Sequence, residues 1–139
     1  MNISIISTSH RKKSQSIRVS EILAKQIINI DNNITVNKFD MLDLGLELWS
    51  EKSKIIPNKF EKNWSKMSKK LIKSQGFVLV VPEYGGMASP NSKNLFLLAN
   101  NGEFFHKPGL IVSISSGLGG AYPISELRSS SYKNSHIMW

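Results

Sequence analysis

The chain has 139 residues, of which 40% are hydrophobic, contains no cysteine and carries a formal net charge of +8. The lack of cysteine excludes disulfide bonds, thiolate metal sites and a cysteine nucleophile, and no apolar stretch of the sequence reaches membrane-spanning length. We therefore expect one domain over residues 1–139, located in the cytoplasm and without a membrane partner.

The N-terminal part of the chain predicts a strand, a helix and a second strand. Residues 2–7 are largely apolar, and Ser14 is suited to cap a helix that follows. That helix carries an apolar stripe at Ile17, Ile22, Leu23, Ile27 and Ile28. Residues 34–41 predict the second strand. Residues 42–58 show no clean period, and we interpret them as a connection that packs over the sheet or against a partner.

A lysine-rich helix is predicted over residues 60–74, with Trp64, Met67 and Leu71 on its inner face. Lysines lie in and before this helix at Lys52, Lys54, Lys59, Lys62, Lys66, Lys69, Lys70 and Lys73. We interpret them as a solvated helix face rather than a nucleic-acid surface, because no aromatic residues for base stacking are interleaved with them. Nucleic acid is therefore not expected as a partner.

The C-terminal part continues the alternation of strands and helices. The run 77–81 predicts a buried central strand, which Pro82 is expected to end. A helix is expected to begin at Ser89 and Pro90. Residues 110–114 predict a fourth strand, residues 122–131 a helix, and residues 136–139 the start of a fifth strand.

This alternation predicts an α/β fold with a parallel sheet covered by helices on both faces. We expect a flavodoxin-like three-layer sandwich with strand order 2-1-3-4-5 and an incomplete or short fifth strand. Three polar or glycine-rich loops follow strands one, three and four, so they are expected to meet at one crevice.

The first loop, from Ser7 to Ser16, is rich in hydroxyl groups and cations. It leads into a helix N-terminus, where free backbone N–H groups favour an anion such as phosphate. The loop lacks the glycines and the Gly-Lys-Ser/Thr end of a Walker loop. From the loop alone, a phosphate site and an ordinary capped connection both stay open.

The second and third loops offer an aromatic ring and accessible backbone. Tyr84 can stack on or edge a planar ligand, and Gly85 and Gly86 let backbone donors approach it closely. Ser116-Gly117-Leu118-Gly119-Gly120 brings more backbone to the same crevice, although Tyr122 stands where a dinucleotide fingerprint has its third glycine. The alternatives are a simple glycine-rich turn and a flexible strand-to-helix turn.

Other site types are poorly supported. His10, His106 and His136 are isolated from one another in the sequence, so no metal site is expected. No Gly-x-Ser-x-Gly elbow is present. Glu83 could act as a catalytic acid, but a structural or partner-contact role is favoured, and we assign no catalytic side chain.

The chain resembles the NADPH-dependent FMN reductases, the flavodoxin-like group that includes chromate, quinone and azo reductases. Residues 9–16 are similar to the family's phosphate loop. Residues 82–86, continuing through Ser89-Pro90 to Lys93-Asn94, are similar to its Pro-Glu-Tyr-Asn motif and the helix after it. Lys107-Pro108 and the loop at 116–120, followed by Leu127-Arg128, are similar to its last loop.

The resemblance implies a set of FMN contacts. The phosphate would be held by Ser9, Arg11, Gln15 and Ser16. The isoalloxazine would be bordered by Pro82, Glu83, Tyr84 and Gly85, and the site closed by Ser116, Gly117, Gly119 and Gly120.

The chain departs from the family pattern at several points. Thr8 and Gly85 replace a glycine and an asparagine, Ser92 replaces a leucine, and the chain stops as the fifth strand begins. An exposed strand edge favours self-association, so a homodimer, a homotetramer or a truncated chain is expected.

The resemblance implies an oxidoreductase in which bound FMN takes a hydride from NADPH or NADH and passes electrons to a flavin, quinone, azo compound or metal oxyanion. One alternative is a non-catalytic FMN-binding electron carrier. Another is a shortened relative that acts as an interaction module, or as a basic domain that binds nucleic acid.

Overall fold

The computed structural model describes residues 1–50 and 59–139, in which strands and helices alternate as the sequence predicts. The elements are β1 (Asn2–Ser7), α1 (Gln15–Ile30), β2 (Thr35–Asp40), α2 (Met41–Leu44), α3 (Lys59–Lys73), β3 (Gly76–Tyr84), β4 (Met87–Ala88), α4 (Pro90–Leu98), β5 (Gly109–Ile114), α5 (Ala121–Ser130) and α6 (Tyr132–Ser135). Much of the predicted connection at 42–58, with Lys52 and Lys54, lies outside the described residues. None of the described helices is long and apolar enough to cross a membrane.

The parallel strands are arranged in the order β2-β1-β3-β5. This confirms the predicted flavodoxin-like order, because β5 is the fourth parallel strand along the chain. The expected fifth strand is represented by a single parallel bridge between Pro108 and Met138. It is therefore short, as predicted.

The end of β3 differs from the prediction, because Pro82 does not end the strand. β3 continues to Tyr84 and turns back through Gly85 and Gly86 into β4, with which it pairs in the antiparallel sense. Both glycines have positive φ, 57° and 74°, which a tight two-residue hairpin requires. Pro82, Glu83 and Tyr84 therefore lie on a strand, and only the two glycines form the turn.

The two faces of the sheet pack against different helices. Ile5 and Val80 point to the face covered by α1, where they pack with Ala24. Ile6 and Leu79 point to the opposite face, as the two-residue alternation of strands dictates. Trp64, Met67 and Leu71 of α3 pack on that second face, as predicted.

The C-terminal residues lie against the start of β5. The Gly109 amide donates to the Met138 carbonyl at 2.8 Å, and the Met138 amide donates to the Lys107 carbonyl at 3.0 Å. A Cβ on Gly109 would lie 2.7 Å from Cζ3 of Trp139. Only glycine allows this approach of the indole ring to β5.

Lys107 ties the chain before β5 to the end of α3. Its Nζ donates to the carbonyl oxygens of Leu71, Ile72 and Glu103 at 2.8–3.1 Å. A cation at the last carbonyl groups of a helix also complements the helix dipole. Burial lowers the pKa of Lys107 below its ordinary value.

Candidate active site

The first loop ends in a capped helix with an unpartnered hydroxyl group in its first turn. The Ile17 amide donates to Ser14 Oγ at 3.2 Å, so Ser14 caps α1 as predicted. Ser16 lies one residue inside α1 and is 1% exposed. Its Oγ has no hydrogen-bond partner among the residues that the structure describes. A buried hydroxyl without a partner is costly, and at a helix N-terminus it is available to an anion.

Arg11 and Gln15 occupy the outer part of the same loop. Both side chains are exposed. Gln15 Oε1 accepts a hydrogen bond from Arg18 Nε at 2.6 Å, whereas Arg11 forms no ion pair with the residues that the structure describes. The Arg11 guanidinium therefore lies at the rim, where it can pair with phosphate oxygens.

The first and second loops contact each other directly. Ser9 Oγ and the Tyr84 hydroxyl lie 2.8 Å apart, and the rings of His10 and Tyr84 are 5.6 Å apart. The Arg11 amide also donates to Ser9 Oγ at 3.1 Å. The structure thus brings together Ser9 and Tyr84, which the sequence assigned to two separate parts of the site.

Thr8 and Ser89 form a second link, which sequence reasoning missed. Ser89 Oγ lies 2.8 Å from the Thr8 carbonyl oxygen and 2.9 Å from Thr8 Oγ1. Thr8 Oγ1 also donates to the Val80 carbonyl at 3.3 Å. Thr8 and Ser89 are both fully buried. Thr8, which stands where the family has glycine, therefore fastens the first loop to the start of α4.

Glu126 supports the β3–β4 hairpin from α5. Its carboxylate accepts a hydrogen bond from the Ala88 amide at 2.7 Å and pairs with Lys93 Nζ at 2.5 Å. The hydrogen bond from Lys93, followed by that from Ala88, lowers the pKa of Glu126. Within the hairpin itself, Glu83 Oε2 is buried without a partner.

The pairing of β3 with β5 places the third loop beside the second. Pro82 pairs with Ile114, so the loop 115–120 begins next to the end of β3. Ser116, Gly117 and Gly119 are exposed, whereas Gly120 is buried and begins α5 with a φ of 68°. Among the described residues, no hydrogen bond joins 116–120 to the other two loops.

A comparison of the sequence with protein-family models matches residues 1–138 to the NADPH-dependent FMN reductase family. The chain belongs to this family. It is accordingly an NAD(P)H-dependent enzyme of the FMN reductase type, and the family's cofactor is FMN. No curated protein sequence matches the chain.

Several solved structures share the fold of this family member. The flavoenzyme NAD(P)H:(acceptor) oxidoreductase FerB from Paracoccus denitrificans has a TM-score of 0.78 and 17% identity, with 99% of this chain and 75% of that chain covered. An oxidoreductase from Corynebacterium diphtheriae has a TM-score of 0.79 and 11% identity, covering 99% and 76%. An azoreductase from Bacillus anthracis has a TM-score of 0.68 and 13% identity, covering 92% and 78%.

Proposed function

We propose that this enzyme holds FMN between its three loops and uses NADPH or NADH to reduce a flavin, a quinone, an azo compound or a metal oxyanion. The observation that carries the proposal is the buried hydroxyl of Ser16, which has no partner at the start of α1. A phosphate group would supply the missing hydrogen bond, and the helix N-terminus favours its charge.

The chain's own residues would bind and orient the cofactor. Arg11, Gln15 and the Ser9 and Ser16 hydroxyls are suited to hold the phosphate. Tyr84 is suited to border the ring, and the neighbouring backbone can donate to its polar edge. The remaining proposed contacts are Pro82, Glu83, Gly85, Ser116, Gly117, Gly119 and Gly120. When bound, FMN would accept the hydride and pass on the electrons. We therefore assign no side chain as a catalytic acid or base.

The test is to purify the protein, add FMN and record visible absorption and flavin fluorescence. We expect binding of FMN, bleaching of its absorption by NADPH or NADH, and recovery in air. A panel containing one acceptor of each named class then identifies the second substrate. A protein that binds FMN but oxidises neither NADPH nor NADH with any acceptor would exclude this function.

We also propose that the enzyme is a homodimer or a homotetramer. The outer edge of β5 pairs with other described residues only at the bridge from Pro108 to Met138, and Leu110 on this strand is 55% exposed. Exposed strand edges tend to be covered in stable proteins. Light scattering after gel filtration should give two or four times the chain mass of 15.6 kDa, and a mass of one chain would contradict the proposal.

A further inference from the structure

A pocket of about 380 Å³ lies beside the first loop, on the side away from Tyr84. It is formed by the ends of β1 and β2, the start of α1, and α2. Its lining includes Ser7, Lys12, Lys13, Ile17, Asp40 and Asp43. None of the residues proposed to hold FMN lines it. Its volume lies within the range of roughly 300–1,000 Å³ typical of small-molecule sites.

Ser7 provides an unmatched hydrogen-bonding group in this pocket. It is 1% exposed, and its Oγ has no partner within residues 1–50 and 59–139. Ser4 on the same strand differs, because its Oγ lies 2.7 Å from Ser74 Oγ. Buried hydroxyl groups are normally hydrogen-bonded. A hydroxyl group of a ligand in this pocket is suited to pair with Ser7 Oγ.

The lining of the pocket carries two lysines and two aspartates that form no ion pair with the described residues. Lys12 and Lys13 form no ion pair with the described residues, whereas Lys38 is neutralised by Glu21 at 2.8 Å. Asp43 is exposed. Asp40 accepts a hydrogen bond from the Leu42 amide, and burial raises the pKa of its carboxyl group above the ordinary value. The pocket thus combines the ammonium groups of Lys12 and Lys13 with the hydroxyl group of Ser7 and the carboxyl group of Asp40.

We infer that this pocket binds a phosphorylated ribose, with its phosphate on Lys12 and Lys13 and its hydroxyl groups on Ser7 and Asp40. Lysine binds phosphate as a flexible point charge, and carboxyl oxygens accept from sugar hydroxyls. The ligand could be the adenosine end of NADPH, in which case the inference rests on the proposed function. It could equally be a free nucleotide.

The first loop explains how one segment could serve two sites. Ser9 and Arg11 belong to the proposed flavin site, and Lys12 and Lys13 line the pocket. Lys13 has a left-handed backbone with a φ of 55°, which is uncommon for a residue other than glycine. The backbone therefore turns at Lys13, directly before the cap of α1 at Ser14.

The test measures binding of 2′,5′-ADP to the FMN-loaded protein by calorimetry, with flavin fluorescence followed in parallel. We expect binding without release of FMN. Lys12→Gln/Lys13→Gln should weaken it by roughly tenfold or more, because two charged contacts to phosphate are lost. The matched control Lys69→Gln/Lys73→Gln removes two lysines from α3 and should bind as the wild type does.

Three results would overturn the inference: no binding of 2′,5′-ADP, equal weakening in both double variants, or displacement of FMN by 2′,5′-ADP. Ser7→Ala provides a second variant that keeps every charge, and it should weaken binding several-fold. If the protein does not bind FMN, the same titration with 2′,5′-ADP on the FMN-free protein still tests the pocket. Failure of the proposed function and failure of this inference can therefore be told apart.

Steady-state kinetics separate the two sources of the ligand. If the ligand is NADPH, Lys12→Gln/Lys13→Gln should raise KM for NADPH more than KM for NADH. If it is a free nucleotide, both KM values should stay unchanged, while 2′,5′-ADP or AMP still binds to the wild type and less well to the variant. Either pattern supports a phosphorylated-ribose site.

Discussion

Two buried hydroxyl groups near the carboxyl end of β1, those of Ser7 and Ser16, have no partner among the described residues, whereas those of Thr8 and Ser9 beside them are paired. Ser16 Oγ has no partner, but one turn along α1, Ser20 Oγ donates to the Ser16 carbonyl at 2.8 Å. Ser68 Oγ likewise donates to the buried carboxylate of Glu103 at 2.7 Å. Because desolvated hydroxyls lower stability unless they are hydrogen-bonded, the unpaired hydroxyl of Ser16 supports its proposed contact with phosphate.

Ser16→Ala should weaken FMN binding without lowering the stability of the protein. The free energy of unfolding without FMN should stay unchanged or rise, because the removed hydroxyl has no partner. The dissociation constant for FMN should increase about tenfold, about 1.4 kcal/mol. Denaturant unfolding and fluorescence titration measure the two quantities.

Ser20→Ala is the matched control for Ser16→Ala. It should lower the free energy of unfolding by about 1 kcal/mol or less and leave FMN affinity unchanged. Loss of stability in Ser16→Ala without loss of FMN affinity would assign Ser16 a purely structural role.

Thr8→Val tests the link between the first loop and α4. The substitution keeps the shape of the side chain but removes the hydroxyl that contacts Ser89 and Val80, so we expect a loss of about 1–2 kcal/mol in the free energy of unfolding. Thr35→Val changes an exposed position on β2 and should stay within about 0.5 kcal/mol of the wild type. Similar values for both variants would show that the link contributes nothing.

Among the elements, the β3–β4 hairpin depends on contacts from neighbouring helices. β4 has only two residues, too few to be stable alone. Glu126 connects it to α5 and, through Lys93, to α4. The hairpin carries Glu83 and Tyr84, so Glu126 is a positioning residue for the proposed flavin site.

The lowered pKa of Glu126 predicts a loss of stability in acid. Its folded pKa lies below its ordinary value of 4.5, so its contribution is present above that value and disappears as the pH falls through the folded pKa. Glu126→Gln should remove this contribution at neutral pH. Because the ion pair is partly exposed, we expect at most about 1 kcal/mol.

The measurement for Glu126 is the melting temperature of both proteins between pH 7 and pH 3. The difference between wild type and Glu126→Gln should be largest near neutral pH and shrink below pH 4.5. A difference that does not change with pH would mean that the carboxylate charge has no role.

Local patterns in the sequence predicted most elements but not the hairpin. The cap at Ser14 and the apolar run before Pro82 are local features, and both are found in the structure. Continuation of β3 beyond Pro82 depends on its pairing with β4. The Gly85-Gly86 pair is typical of a hairpin turn, but Pro82 led us to predict that the strand ends before it. The contact of Thr8 with Ser89 spans 81 residues and has no local pattern at all.

At the scale of the whole molecule, the strand order was predictable because it follows from alternating strands and helices. The residues predicted to contact the flavin lie near the carboxyl end of that sheet, on its loops, at the end of β3 and in the first turn of α1. The pocket at Ser7 was not predicted, because its lining comes from β1, α1, β2 and α2 together.

The net charge of +8 predicts a salt-dependent reaction with NAD(P)H. An anionic co-substrate is attracted by a positive protein, and added salt screens that attraction. We expect kcat/KM for NADPH to fall several-fold as ionic strength rises from about 0.02 to 0.3 M, while that for a neutral quinone changes little. Equal salt dependence for both substrates would contradict a role for the protein's charge.

Two contacts that hold the first loop in place have a thermodynamic consequence for cofactor binding. Ser9 with Tyr84 joins the loop to the end of β3, and Thr8 with Ser89 joins it to the start of α4, before any ligand arrives. The conformational entropy of ordering these loops is therefore lost when the chain folds rather than when the cofactor binds. The affinity for FMN is therefore expected to be higher than it would be if these loops became ordered only on binding.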